Sequence, residues 1–140
     1  MSIQFDKVQP KTKEQLKQLI NYAFKHDIYD LNFIDTSKIT DMASMFYYCK
    51  KFDCDLSCWN VSNVTYMEYM FRLCKNFDCD LSNWDVSNVT NMNHMFYKCN
   101  VFIGKGLENW DVSKVKDMNY MFNGCDKMTI PSWYKLYHRK

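Results

Sequence analysis

A repeat of about 25 residues constrains this chain more than any other feature. "NWDVSNVTNMNHMFYKC", Asn83 to Cys99, returns as "NWDVSKVKDMNYMFNGC", Asn109 to Cys125. Phe46, Phe71, Phe96 and Phe122 mark four copies at spacings of 25, 25 and 26, each followed three residues later by a cysteine. A fixed period in this range is the mark of stacked units, none of which can bury its apolar edge alone.

Two patterns divide each unit. Met42, Met45, Phe46 and Cys49 sit at i, i+3, i+4 and i+7, the spacing of one face of a short helix. Thr65 with Glu68 fits a capping box at the start of such a helix. In "FDCDLSC" the residues Phe52, Cys54, Leu56 and Cys58 alternate with Asp53, Asp55 and Ser57, a period of two that predicts a short strand. The columns Leu31, Leu56, Leu81, Leu107 and Ile34, Trp59, Trp84, Trp110 are apolar and should line a common core, as should the Val61, Val86, Val112 column. Only three glycines and two prolines are present. The Asp35, Asn60, Asp85, Asp111 column, with a serine two residues on, is therefore the expected source of turns, since short polar side chains bond to nearby backbone.

The expectation is one α/β domain spanning residues 1–140, a leucine-rich-repeat-like solenoid of four coils over 28–127, each a short parallel strand plus a short helix. Exposed ends need covers. Residues 1–27 supply a helical cap, with Leu16, Leu19, Ile20, Ala23 and Phe24 on one stripe behind a Thr12–Gln15 capping box. Residues 128–140 supply the other, with Trp133, Leu136 and Tyr137 as its lid.

The phrase "DLSNWDVSNVTNMNHMFYKC", Asp80 to Cys99, resembles the BspA-like bacterial surface-protein repeats, also called mycoplasma lipoprotein repeats. The resemblance covers about Ile28 to Cys125. "PKTKEQLKQLI" and "PSWY" are similar to the flanks of small members. It implies a right-handed stack related to leucine-rich repeats, exposure at the cell surface, adhesive contact with a host or another cell, and no shared catalytic residues.

Function classes narrow by exclusion. A net charge of +2 gives no electrostatic footprint for nucleic acid. No apolar run approaches the roughly 18 residues of a membrane span. The start "MSIQFDKVQP" lacks the apolar core of a signal peptide, so the residues alone imply the cytoplasm, whereas the resemblance implies the surface. Cys49, Cys74, Cys99 and Cys125 fall one per unit, with the outer two expected about 14 Å apart, too far for one zinc site. They read as buried structural thiols. Cys54 and Cys79 are column neighbours, placed for a disulfide but expected as thiols. Eight of ten methionines lie in the two core columns, which reads as core filling. No nucleophile–base pairing and no glycine-rich phosphate loop occurs, so no enzyme is expected.

Two surface features remain. Asp53, Asp55, Asp78 and Asp80 form a two-by-two set of carboxylates, a candidate calcium patch, set against the reading of a hydrated face; no other cofactor is expected. Tyr69, His94 and Tyr120 share an outer column with Ser44, joined by Tyr66 and Arg72, residue types enriched at interface centres. The expected function is a non-enzymatic binding module contacting a protein or glycan. The alternative is a structural, cation-dependent assembly of the chain with itself.

Overall fold

The structure, a computed structural model, describes residues 7–50 and 55–138. The four units stack in register, but they are not coils of strand and helix. Among the described residues the regular elements are α1 (Lys13–Lys25), a 3-10 turn (Leu107–Asn109) and α2 (Ser132–Tyr137). Strand pairing is limited to isolated parallel bridges, and Asp41, Tyr66, Asn91 and Asp117 form one such column, one residue wide. The leucine-rich-repeat-like solenoid expected from the sequence is therefore corrected: among the described residues no sheet forms, and neither the repeat helix nor the repeat strand is present. The stretch 51–54, which begins one expected strand, lies outside the described residues.

What forms instead is a chain of β-turns. In the second unit Trp59 donates its N–H to Leu56 O, Val64 to Val61 O, Met70 to Met67 O and Cys74 to Phe71 O, all three residues back. The corner residues of each turn point inward, and Leu56, Trp59, Val61, Val64, Met67, Met70, Phe71 and Cys74 are all buried. Two turns in succession, Met-x-x-Met and Phe-x-x-Cys, produce the i, i+3, i+4, i+7 spacing of a helix without being one. Their third residues, Ser44, Tyr48, Tyr69, Leu73, His94, Lys98, Tyr120 and Gly124, all have φ between 56° and 80°. A positive φ at the third position is the requirement of a type II turn.

The backbone groups left over link the units. Met42, Ser44, Phe46 and Tyr48 donate to the carbonyls of Tyr66, Glu68, Met70 and Arg72 in the next unit. The same rungs repeat from Met67, Tyr69, Phe71 and Leu73 to Asn91, Asn93, Met95 and Tyr97. A helix would have spent these N–H groups internally and left the units joined by side chains alone. Thr65 is part of this linkage: its hydroxyl donates to Thr40 O at 3.1 Å, and no helix follows for it to cap.

Side chains repeat the same bonding. Asn63 and Asn88 donate their amides to Ser37 O and Ser62 O of the unit before, each at 2.7 Å. The thiols of Cys74, Cys99 and Cys125 donate to Phe46 O, Phe71 O and Phe96 O at 2.9, 3.0 and 2.9 Å. The phenyl rings of Phe46, Phe71, Phe96 and Phe122 stack within 7° of parallel, centroids 5.5, 5.6 and 5.8 Å apart. At the corners, Asp35, Asn60, Asp85 and Asp111 each accept the N–H of the serine two residues on at 3.0 Å. These side chains supply the turn chemistry that few glycines can. Gly106 is an exception that the packing requires: with φ of 88°, a Cβ there would lie 2.5 Å from the Ser82 backbone.

Both ends are covered. Thr12 caps α1 by accepting the Gln15 N–H at 3.1 Å, and Gln15 reaches back to the Lys11 N–H at 2.8 Å, one residue before the usual partner in a capping box. Leu16, Ile20 and Ala23 are buried against the first unit. At the other end Trp133 stacks on Trp110, centroids 6.5 Å apart, and donates to Leu107 O at 2.8 Å, taking the next place in the tryptophan column. The lid differs from expectation in one residue: Tyr134 is buried, while Leu136 is 58% exposed. Among the described residues no helix is long and apolar enough to cross a membrane.

Candidate functional site

The turn geometry sets out a continuous aromatic stripe. Tyr69, His94 and Tyr120 occupy the third position of equivalent turns, with φ of 60°, 56° and 59°. That conformation sends the side chain away from the core, and equal registers place the rings one above another. Tyr69 stacks on His94 with centroids 5.1 Å apart and planes 24° apart. His94 meets Tyr120 at 4.9 Å. Burial among these rings holds the His94 imidazole below its usual pKa; the nearby Arg72 charge adds to this and Asp117 opposes it. The lowered pKa favours the uncharged imidazole in the stack.

A second column runs beside it. The Arg72 guanidinium lies 5.4 Å from the Tyr47 ring centroid and 4.9 Å from that of Tyr97. It donates to the Tyr47 hydroxyl at 2.6 Å. An Arg between two tyrosine faces is held by cation–π attraction and by a directed hydrogen bond. Arg72 Nε and Glu68 Oε2 are buried without a hydrogen-bond partner. Tyr66 is 48% exposed but lies in the bridge column, apart from the stack. The structure therefore brings together Tyr69, Arg72, His94 and Tyr120 and sets Tyr66 to one side. Tyr47 and Tyr97 were not singled out from the sequence, although the same spacing of 25 places them on either side of Arg72.

The aspartates serve the turns. Asp55 accepts the Ser57 N–H at 2.9 Å, and Asp80 accepts the Ser82 N–H at 2.9 Å. These bonds hold both carboxyls below the usual range, led by the Ser57 backbone for Asp55 and by the Ser82 hydroxyl for Asp80. Asp80 also pairs with Lys105 at 3.3 Å, and Asp78 accepts the Ile103 N–H at 3.2 Å. Asp53 and Cys54 lie outside the described residues. Among the described residues no group of three His, Cys, Asp or Glu side chains is placed to hold a metal ion.

Residues 14–133 match the family described as "Mycoplasma protein of unknown function, DUF285". The chain belongs to this family. The match spans α1 from Glu14, all four units and the first residues of α2, so the DUF285 region holds both the stripe and the turn-forming aspartates. No curated protein and no solved structure matches the chain.

Proposed function

We propose that this DUF285 chain is a non-enzymatic binding module of the BspA-like surface-protein kind, whose aromatic stripe contacts a protein or glycan partner. The observation that carries this reading is the outward stack of Tyr69, His94 and Tyr120 beside the Arg72 clamp. These rings add nothing to the buried core, and rigid aromatics with a fixed Arg make contact area at low entropic cost. Ser44 fills the same column in the first unit, so the turn itself does not need a ring. The cation-dependent assembly reading has less to support it, because the Asp55 and Asp80 carboxylates already accept serine N–H groups.

The test uses immobilised wild-type chain and a Tyr69→Ser/Arg72→Ala variant, probed with a glycan array and with detergent-extracted cell-surface proteins. The expected result is retention of a defined ligand by wild type and at least tenfold weaker retention by the variant at unchanged circular dichroism. Equal retention by both would remove the stripe as the contact surface.

A further inference from the structure

The stripe ends at Tyr120, and a cavity opens there. It holds about 530 Å³ and is lined by Asn119, Tyr120, Asn123, Tyr134 and His138. One face of the Tyr120 ring meets His94 at 4.9 Å. No fourth ring follows in the column among the described residues, and Tyr120 is 54% exposed. Its outer face is the free end of the stack.

The polar groups around that face are unspent because the stack stops. Ser44, Tyr69 and His94 donate their N–H groups to Glu68, Asn93 and Asn119 of the following unit. Tyr120 has no following unit, and its N–H has no acceptor among the described residues. Asn93, one unit earlier, donates its amide to the Asp117 carboxylate at 3.0 and 3.1 Å. Its counterpart Asn119 has no such partner, and the Asn123 side-chain amide is likewise unbonded among the described residues. Tyr134 closes the floor, its ring at 4.9 Å edge-on to Phe122, with His138 at 4.4 Å beside it. Among the described residues no carboxylate, lysine or arginine lines the cavity.

We propose that this terminal cavity binds one neutral pyranose ring, stacked on Tyr120 and held by the amides of Asn119 and Asn123. The proposal rests on the glycan side of the reading above and names its seat. A pyranose has one face of C–H bonds, which suits an aromatic ring, and an edge of hydroxyls, each both donor and acceptor. An asparagine amide matches that edge because it too offers both. Among the described lining residues, the carboxylate of an acidic sugar would meet no lysine or arginine. The volume falls within the roughly 300–1,000 Å³ of small-ligand sites.

The test is a 1H–15N NMR titration of the full chain with the methyl glycosides of glucose, galactose, mannose and N-acetylglucosamine, and with methyl glucuronide for comparison. The expected result is saturable shifts from at least one neutral glycoside at the Tyr120 N–H and the Asn119 and Asn123 side-chain amides. Asn123→Ala and Tyr120→Ala should each weaken that binding at least tenfold with dispersed spectra retained, and Lys17→Ala, on the exposed side of α1, should leave it within twofold. Absence of saturable shifts from every neutral glycoside overturns the proposal, as does stronger binding of the glucuronide. If the Tyr69→Ser/Arg72→Ala pair still loses its ligand while no glycoside enters the cavity, the pyranose site falls and the binding-module reading stands.

Discussion

Trp84 donates its indole N–H to the carbonyl of Leu56, 3.0 Å away and 28 residues earlier in the chain. Trp59 makes the same bond to Leu31 at 3.0 Å, and Trp110 to Leu81 at 3.3 Å. Each tryptophan thereby fills the core and ties its unit to the one before. Trp84 is 4% exposed, so its loss is felt twice, as a cavity and as a lost hydrogen bond between units. Trp84→Phe is expected to destabilise the chain by roughly 2–4 kcal/mol. Trp133→Phe removes the equivalent bond from a half-buried site at the end and should cost less. Urea unfolding of both variants checks the order, and an equal midpoint shift would contradict it.

Much of this was legible in the sequence, and the conformation of the unit was not. The columns through Leu56, Trp59, Met67 and Phe71 came from register alone, and all four residues are buried. The error was to read Met42, Met45, Phe46 and Cys49 as a helix. Apolar pairs three apart also occur at Leu56–Trp59 and Val61–Val64, in stretches rich in Asn and Ser where helix propensity is poor. That recurrence around the whole unit is the signature of turns, because a helix confines the spacing to one segment. Of the period-two alternation through Phe52, Cys54, Leu56 and Cys58, the first two lie outside the described residues, Leu56 is buried and Cys58 is exposed, and no ladder forms among the described residues. Neighbouring backbone groups there, as in the Leu81–Trp84 turn, bond three residues back. For the site, register found Tyr69, His94 and Tyr120, and the same register held Tyr47 and Tyr97 around Arg72. Those two escaped notice because only one outer column was read.

The left-handed turn positions predict a second result. Gly124 adopts φ of 80°, and a Cβ there would lie 3.1 Å from Lys98 Cα and 2.8 Å from its Cγ. Gly124→Ala therefore adds both steric crowding and left-handed strain, and should cost about 1–3 kcal/mol. Lys98 stands in the same column with φ of 57°. Lys98→Gly relieves strain but frees the unfolded chain, so it should be neutral or stabilising by up to about 1 kcal/mol. Thermal melts of the two variants should move in opposite directions or leave Lys98→Gly unmoved. A destabilised Lys98→Gly beside an unaffected Gly124→Ala would contradict the turn assignment.

The corner aspartates make stability depend on acid. Asp35, Asp85 and Asp111 are each held below the usual carboxylate range, first by the hydroxyl of the serine two residues on and then by its N–H. For Asp55 the order is reversed, with the Ser57 backbone leading. A carboxyl whose pKa is lower folded than unfolded stabilises the fold above its unfolded value and loses that contribution as pH falls through its folded value. The unfolded value is about 3.9. The melting temperature should hold level above about pH 5 and fall below about pH 4. Asp55, Asp85 and Asp111 are exposed and Asp35 is partly buried; each contributes little alone, so the effect is their sum. Asp85→Asn should preserve the turn at pH 7, as Asn60 does in the second unit at 3.0 Å, and should flatten part of the acid slope. Asp85→Ala should lower the melting temperature at both pH values. A melting curve unchanged between pH 6 and pH 3 would contradict this role.

The thiols should separate by reactivity. Cys99 and Cys125 are buried and donate to Phe71 O and Phe96 O. Burial pushes both thiols upward, Cys125 to about 12. Thiolate is the reactive form, so both should be inert at neutral pH. Cys58 is exposed and open to the reagent. Brief iodoacetamide treatment of the native chain at pH 8, read site by site by mass spectrometry, should modify Cys58 and spare Cys99 and Cys125. The same treatment in urea should modify all three. Because the Cys99 thiol supplies a donor between units, Cys99→Ser should retain more stability than Cys99→Val, which fills the space but loses the bond to Phe71 O, at a cost of about 0.5–1.5 kcal/mol. Native labelling of Cys99 as fast as that of Cys58 would mean that the stack opens at its centre, and the inter-unit thiol bonds would then have no place in holding it shut.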